Sequence, residues 1–444
     1  LQAQLNAKKL SAGRWIHIII PTILVYIVAY MDRANISFAI AGGMDSALGL
    51  SATFAGLASG IFFIGYLVLQ VPGGMIAERG NAKKYIAWTI IAWGVVATLT
   101  GFVQNEWELL GLRFLLGVVE GGLMPAILAI LSHWFTNEER GRANGYFYIN
   151  IAIANIITGP ISGWLIQFYN WREVFIVEGI VSLALIVVWL PLITNKPEDA
   201  KWLTQEEKDQ LKARIAEEQE IMRESHGRRM AFKDIFVDSN LWKLVLIYFC
   251  YQAGAYGFSL WLPTIVKSLT NQGMGNVGLL TAIPYVALAI GFVVFSVLSD
   301  RNHNRKLYTA IPLIGFALCL ILSLEFKADV IVSFMFLVFC GFFFQSAAPI
   351  FWAIVPSLYP DDVAGGARGI IGGIGNLGGF LGPYIVGLLI SQTHGDTSIG
   401  LYGMSFILFV GFLITLTLPK ITSQMTIQRE ERISLQQVEI ATEQ

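Results

Sequence analysis

The chain has 444 residues, 55% of them apolar and only 14% charged, with a net charge of −1 and a mean hydropathy of +0.61. That balance excludes an ordinary soluble domain and leaves no basic surface for a nucleic-acid partner. It is the composition of a chain that crosses a lipid bilayer many times.

A helical crossing needs roughly 20 apolar residues, and such runs can be taken in order. The first, 15–39, carries Tyr30, Asp32, Arg33 and Asn35 in its second half. The second, 53–76, holds Tyr66 and Gln70 one turn apart on one helical face. It leads into a charged loop containing Gly74, Glu78, Arg79, Lys83 and Lys84, and the third run follows at 84–103. The fourth, 107–135, contains Arg113 and Glu120, whose spacing of nearly two turns puts them on one face about 10 Å apart. Counted from the run ends, Arg113 and Asp32 share the outer third of the membrane and can pair directly, while Glu120 falls near the midplane. Runs at 143–167 and 173–194 complete the first set, and Glu178 in the last of them reads as a structural residue.

A polar connector, 195–240, separates the sets; its helical-looking segment 204–224 mixes both charge signs and reads as a solvated face. Six further runs follow at 242–267, 276–298, 307–325, 330–356, 368–390 and 400–419, and 420–444 is a tail. The expected fold is therefore an all-α membrane protein of twelve transmembrane helices. Its expected parts are an N-terminal six-helix bundle (1–194), a connector (195–240), a C-terminal six-helix bundle (241–419) and a cytoplasmic tail (420–444). Similar signals recur at a nearly fixed offset, as in Arg79 and Arg301 (301 − 79 = 222) or Pro160 and Pro383 (383 − 160 = 223), so the bundles read as repeats.

Lys and Arg gather on alternate loops, which predicts a multi-pass protein with both termini in the cytoplasm. The first run serves as its own insertion signal. Cys250, Cys319 and Cys340 lie inside apolar runs as packed thiols, and the five histidines form no pair within a run. No metal, cofactor or enzymatic nucleophile set is expected.

Charge is distributed unequally between the halves. An ionisable side chain at membrane depth costs about 2.5 to 3.5 kcal/mol on insertion scales, so it is rarely kept without a task. Asp32, Arg33, Arg113 and Glu120 all lie in the first half. The planar guanidinium of Arg33 suits a substrate carboxylate, and a carboxylate whose Arg partner moves can load or release a proton. Tyr30 and Tyr66 can add hydroxyl donors or simply pack. Gly117 with Gly121, and Gly159, Pro160 and Gly163, read as close-packing positions.

The segment from Gly74 through Glu78-Arg79 to Lys83-Lys84 resembles the cytoplasmic signature of the major facilitator superfamily, with Asn81 replacing its second glycine. A carboxylate beside a basic cluster can act as a gating latch between conformations, although positive-inside topology alone also explains the lysines. Across the chain, Asp32-Arg33-Ala34-Asn35, Phe62 to Tyr66, Arg113 to Glu120 to Pro125, Trp134-Phe135, Trp171-Arg172, Phe175 to Glu178-Gly179 and Gly375 to Gly379 resemble the superfamily's anion:cation symporter family, which includes bacterial galactonate, hydroxyphenylacetate and tartrate transporters.

The resemblance implies the major facilitator fold and proton-coupled symport of an organic carboxylate by alternating access in the bacterial cytoplasmic (inner) membrane; a sodium-coupled carrier or an anion exchanger is the alternative. It makes Asp32 and Glu120 proton carriers, Arg113 their responsive partner and Arg33 the substrate-carboxylate contact, with Tyr30, Tyr66, Gln70, Trp352 and Asn376 lining the substrate. The implied partners are a small organic anion, protons and lipid, for a protein acting as a monomer. Two departures, Ile151 on the fifth run and Pro349 with Phe351 on the tenth, remove polar groups found in the galactonate branch. Substrate class stays open between aromatic carboxylates and sugar acids.

Overall fold

A computed structural model describes residues 13–224, 235–302, 304–359, 361–393 and 396–419, all of whose regular elements are helices. The expected tail, 420–444, lies outside the described residues, as does the side chain of Glu78. In chain order the principal helices are α1 (Ile20–Ala39), α2 (Ala52–Ile76), α3 (Ala82–Thr100), α4 (Glu106–Glu120), α5 (Leu123–Trp134), α6 (Asn137–Phe168), α7 (Trp171–Leu192), α8 (Gln205–Glu224), α9 (Ser239–Thr270), α10 (Met274–Asn302), α11 (Arg305–Glu325), α12 (Val330–Phe344), α13 (Ala348–Leu358), α14 (Asp361–Gly375), α15 (Leu377–Gln392) and α16 (Thr397–Leu416).

Eleven helical stretches among the described residues are long and apolar enough to cross a membrane. The remaining expected crossing is α3, a 19-residue helix that opens on Lys83 and Lys84 and so has its apolar character diluted at one end. At 1.5 Å per residue it is still about 28 Å long. Four of the apolar runs are divided between helical elements, Trp15–Leu48 among them, where Gly43 has a φ of 101°. The run Glu106–Trp134 breaks at Gly121-Gly122 between α4 and α5, Val330–Val355 breaks between α12 and α13, and Gly365–Gln392 breaks at Asn376 between α14 and α15. Gly121, Gly122 and Asn376 keep right-handed helical dihedrals, so the chain loosens its hydrogen-bond ladder there without leaving the helical path.

The chain divides into two compact units, Leu1–Arg228 with Ser259–Ala282, and Arg229–Phe258 with Ile283–Gln444. In the first unit α2 and α4 approach backbone to backbone: a side chain on Gly65 would meet the Phe114 carbonyl, one on Gly117 that of Phe62, and one on Gly121 that of Tyr66. Small residues permit this contact, and dispersion between the closely packed backbones stabilises it. Gly278 of α10 packs in the same way against Gly159 and Gly163 of α6, which accounts for the start of α10 grouping with the first unit. The second unit repeats the device between α10 and α12, with Gly291 on the Phe342 carbonyl and Gly341 on that of Pro284.

The entry to α1 is clamped by a buried residue outside the apolar run. Arg14, 1% exposed, donates from both terminal nitrogens to the Glu139 carboxylate (2.9 and 2.8 Å) and to the Trp134 carbonyl (2.9 Å). The start of the connector is seated nearby, where the Trp202 ring stacks between His17 (4.3 Å) and Trp134 (5.2 Å).

Candidate functional site

Successive residues on a helix point about 100° apart, so Asp32 and Arg33 of α1 face different neighbours. Arg33 turns toward α2 and α4, where its Nε donates to Glu120 Oε2 at 2.7 Å. Glu120 is fully buried, and its other oxygen, Oε1, has no hydrogen-bond partner. It is the last residue of α4, immediately before Gly121-Gly122, where the chain passes into α5. Aromatic rings wall the guanidinium: its carbon lies 5.4 Å from the ring centre of Tyr26, 5.9 Å from Tyr30, 5.2 Å from Phe62 and 4.9 Å from Tyr66. Such contacts favour a cation, more strongly once water is excluded.

Arg113, 1% exposed, does not pair with the Asp32 carboxylate as its position in the run suggested. It donates to main-chain carbonyls instead, those of Asp32 (3.1 Å), Ala58 (3.4 Å) and Arg33 (3.5 Å). The Asp32 side chain is directed away, toward α7, where it accepts a hydrogen bond from Ser182 Oγ at 2.9 Å. Arg113 thus fastens α4 to the backbones of α1 and α2, and its charge lies beside the Asp32–Arg33 step without contacting the Asp32 carboxylate.

A second polar knot surrounds Glu178 of α7, 2% exposed. Ser162 of α6 donates to its Oε1 (2.9 Å), and Asn35 of α1 donates to its Oε2 (3.1 Å). Sequence reasoning assigned Glu178 a structural role and passed over Ser162 and Ser182. The visible signal was the spacing of Glu178 and Ser182, one helical turn apart on an otherwise apolar run.

In the second unit, Gln252 of α9 donates to Asn376 Oδ1 at 3.0 Å, and Asn376 stands at the break between α14 and α15. Tyr248 stacks on Phe351 (5.4 Å between ring centres) and meets Trp352 edge-on (5.0 Å). Both expected lining residues of this half, Trp352 and Asn376, therefore sit in polar or aromatic clusters. Of the expected residues in the first unit, Tyr30 and Tyr66 join Arg33, whereas Gln70 is half-buried and makes no hydrogen bond to that cluster. Tyr26 and Phe62, each one turn before an expected tyrosine, complete the cage and were missed.

Among the latch residues, Arg79 and Lys84 are exposed. The Lys83 main chain is held at both polar groups, its N–H donating to Asn195 Oδ1 (2.7 Å) and its carbonyl accepting from the Trp189 indole (3.0 Å). Gly74 lies against Pro125 of α5. The anchoring of Lys83 is thus by backbone, with its side chain half-buried.

Buried ionisable groups among membrane-length helices mark a multi-pass membrane protein with a functional polar interior. A family profile described as Major Facilitator Superfamily matches residues 22–383 and 271–435, and the chain belongs to that superfamily. It is 34% identical over 413 residues to an Agrobacterium vitis protein named "Putative tartrate transporter", with 90% of each chain covered. The fold is similar to that of a bacterial homolog of the human lysosomal transporter Spinster in an inward-facing, occupied conformation (TM-score 0.73, 14% identity, 91% of this chain and 97% of that one). It is similar also to a D-xylose–proton symporter (TM-score 0.69, 17% identity, 91% and 98% covered). The protein is accordingly a transporter and not an enzyme.

Proposed function

We propose that the protein is a proton-coupled symporter of a small organic carboxylate, working by alternating access in the bacterial inner membrane with both termini cytoplasmic. The observation that carries this reading is the buried Arg33–Glu120 pair inside a cage of four aromatic rings. A substrate carboxylate competes with Glu120 for the Arg33 guanidinium. Once displaced, Glu120 is a buried carboxylate without a partner, a state that costs several kcal/mol unless it is protonated. Anion binding at Arg33 therefore calls for a proton at Glu120, and the two travel together. Arg113 holds the backbone around both residues and supplies positive charge to the region throughout.

The tartrate named for the Agrobacterium vitis relative is a small dicarboxylate, in keeping with an arginine-centred site. The aromatic walls around Arg33 favour a compact anion with an apolar or planar body. In the second unit, Asn376 and Gln252 form a neutral hydrogen-bonding pair. The 1–194 and 241–419 bundles, the connector and the latch from Gly74 to Lys84 are the moving parts in this reading.

The test is uptake into proteoliposomes with the ion gradients imposed separately. Accumulation driven by an inward proton gradient with no sodium present supports the proposal. Accumulation that requires a sodium gradient, or that occurs only against a preloaded anion, replaces it with a sodium-coupled carrier or an exchanger.

A further inference from the structure

Three of the four rings around the Arg33 guanidinium are tyrosines, and holding the cation does not account for their hydroxyls. Phe62 makes the same contact with a bare ring, 5.2 Å from the guanidinium carbon, against 5.4 Å for Tyr26 and 4.9 Å for Tyr66. Cation–π attraction comes from the ring face, so a phenylalanine would serve it at every position. A phenol in an apolar interior costs free energy unless its O–H has a partner. The hydroxyls therefore need a reason of their own.

Tyr26 lies seven residues before Arg33 on α1, close to two turns, and so shares its face. Its ring is 5% exposed and is braced edge-on by Phe147 of α6, with ring centres 5.1 Å apart, which fixes it beside the guanidinium. The Tyr66 phenol of α2 lies within hydrogen-bonding reach of the Tyr26 phenol. Two facing phenols carry two O–H donors, and a bond between them uses one. Glu120 does not take the other, since its Oε1 has no hydrogen-bond partner. Tyr148 of α6 lies near Tyr26 as well, but it brings a proton of its own, so the row still ends with one donor to spare. An O–H donor and oxygen lone pairs are thus left beside the cation.

We propose that Tyr26 is a specificity-determining residue whose hydroxyl, together with that of Tyr66, reads a hydroxyl on the carbon next to the substrate carboxylate. The favoured substrates are then 2-hydroxycarboxylates. Arg33 takes the carboxylate, the phenol pair takes the adjacent hydroxyl, and the ring faces cover the carbon body. Carboxylate and 2-hydroxyl are one carbon apart, which suits a guanidinium lying against the ring that carries the phenol. A hydroxyl leaving water needs both an acceptor and a donor, and the pair supplies both. The analogue without the hydroxyl leaves the spare phenol groups unpaired, and a site built in this way disfavours it. This deepens the carboxylate reading and rests on it, but does not depend on which ion drives transport.

Binding to the purified protein in detergent, with no gradient present, reads the preference directly. The probes are pairs that differ only in hydroxyl groups across three kinds of body: lactate with propionate, tartrate with succinate, and mandelate with phenylacetate. In the pairs that bind, the wild type should favour the hydroxylated member. Tyr26→Phe should weaken that member about 3- to 10-fold, the worth of one hydrogen bond, while shifting its partner by less than about 2-fold. Tyr66→Phe should act in the same direction. Retained binding of the unhydroxylated member, which needs Arg33 and the rings, reports that each variant is folded. Equal binding of both members by the wild type overturns the proposal and leaves the carboxylate reading intact. A Tyr26→Phe variant that weakens both members equally, or neither, also overturns it, since the ring alone then matters. Absence of binding across all three pairs removes it together with the carboxylate reading, whereas sodium-driven uptake would remove proton coupling alone.

Discussion

Arg33 and Glu120, 87 residues apart in sequence, meet at 2.7 Å in the interior of the first unit. The pair joins α1 to the last residue of α4, at the point where the helix breaks. In the proposed mechanism the substrate carboxylate and Glu120 compete for the Arg33 guanidinium, and a proton neutralises the acid that is displaced.

Arg33→Lys keeps the charge but loses the planar fork and its stacking on the aromatic rings. Hydrogen bonds to charged groups are worth about 2 kcal/mol, so uptake at low substrate concentration should fall ~30-fold. Initial-rate uptake by vesicles, compared with binding by the purified variant, checks this; an unchanged apparent affinity would remove Arg33 from the substrate site.

In the second unit, Asn376→Ala leaves Gln252 without its partner but touches no buried charge. It should alter the ranking of carboxylates by apparent KM while leaving gradient-driven accumulation intact. Competition assays with a panel of aromatic acids and sugar acids would report the change. Loss of coupling in this variant would contradict the division of roles between the halves.

Gly117→Val should destabilise by about 2 kcal/mol or more, because the new Cβ meets the Phe62 carbonyl and forces α2 and α4 apart. Gly111→Ala, where nothing lies within 4 Å of an added Cβ, is the control and should be neutral or stabilising by up to about 1 kcal/mol. Thermal unfolding in detergent distinguishes the two.

The clamp between Arg14 and Glu139 carries a pH dependence. Burial pushes the Glu139 carboxyl up, but the hydrogen bonds and charge of Arg14, with those of Thr136, outweigh it and hold the group below the usual carboxylate range. A folded-state value below the unfolded one gives stability that is present above the unfolded value and lost as pH falls through the folded one. The wild type should therefore lose thermal stability on acidification more steeply than Glu139→Gln. Arg14→Ala should cost about 1–3 kcal/mol at neutral pH, since the carboxylate and the Trp134 carbonyl lose their donor. Equal acid sensitivity in wild type and Glu139→Gln would show that the clamp contributes nothing measurable.

Much of this architecture was legible in the sequence because lipid imposes long apolar runs, and α3 was visible despite the lysines at its start. Intramembrane charge marked Asp32, Arg33, Arg113 and Glu120 for the same reason. Which of them touch was not legible, because pairing depends on how α1 and α4 are rotated against each other. A step of one residue turns a side chain by about 100°, enough to hand Glu120 to Arg33 and leave Arg113 with carbonyls. Tyr26 and Phe62 were recoverable in principle, one turn before Tyr30 and Tyr66. The breaks at Gly121-Gly122 and Asn376 were not, since glycine is common in membrane helices for packing alone.

The most direct test of the central claim is Glu120→Gln in proteoliposomes, assayed for exchange of labelled substrate and for accumulation driven by an inward proton gradient. The neutral amide removes the proton site and the competing charge, so exchange should continue while gradient-driven accumulation and substrate-dependent proton flux are abolished. Accumulation and proton flux at wild-type levels would contradict the account, because they would place the coupling proton elsewhere than on the acid that holds Arg33.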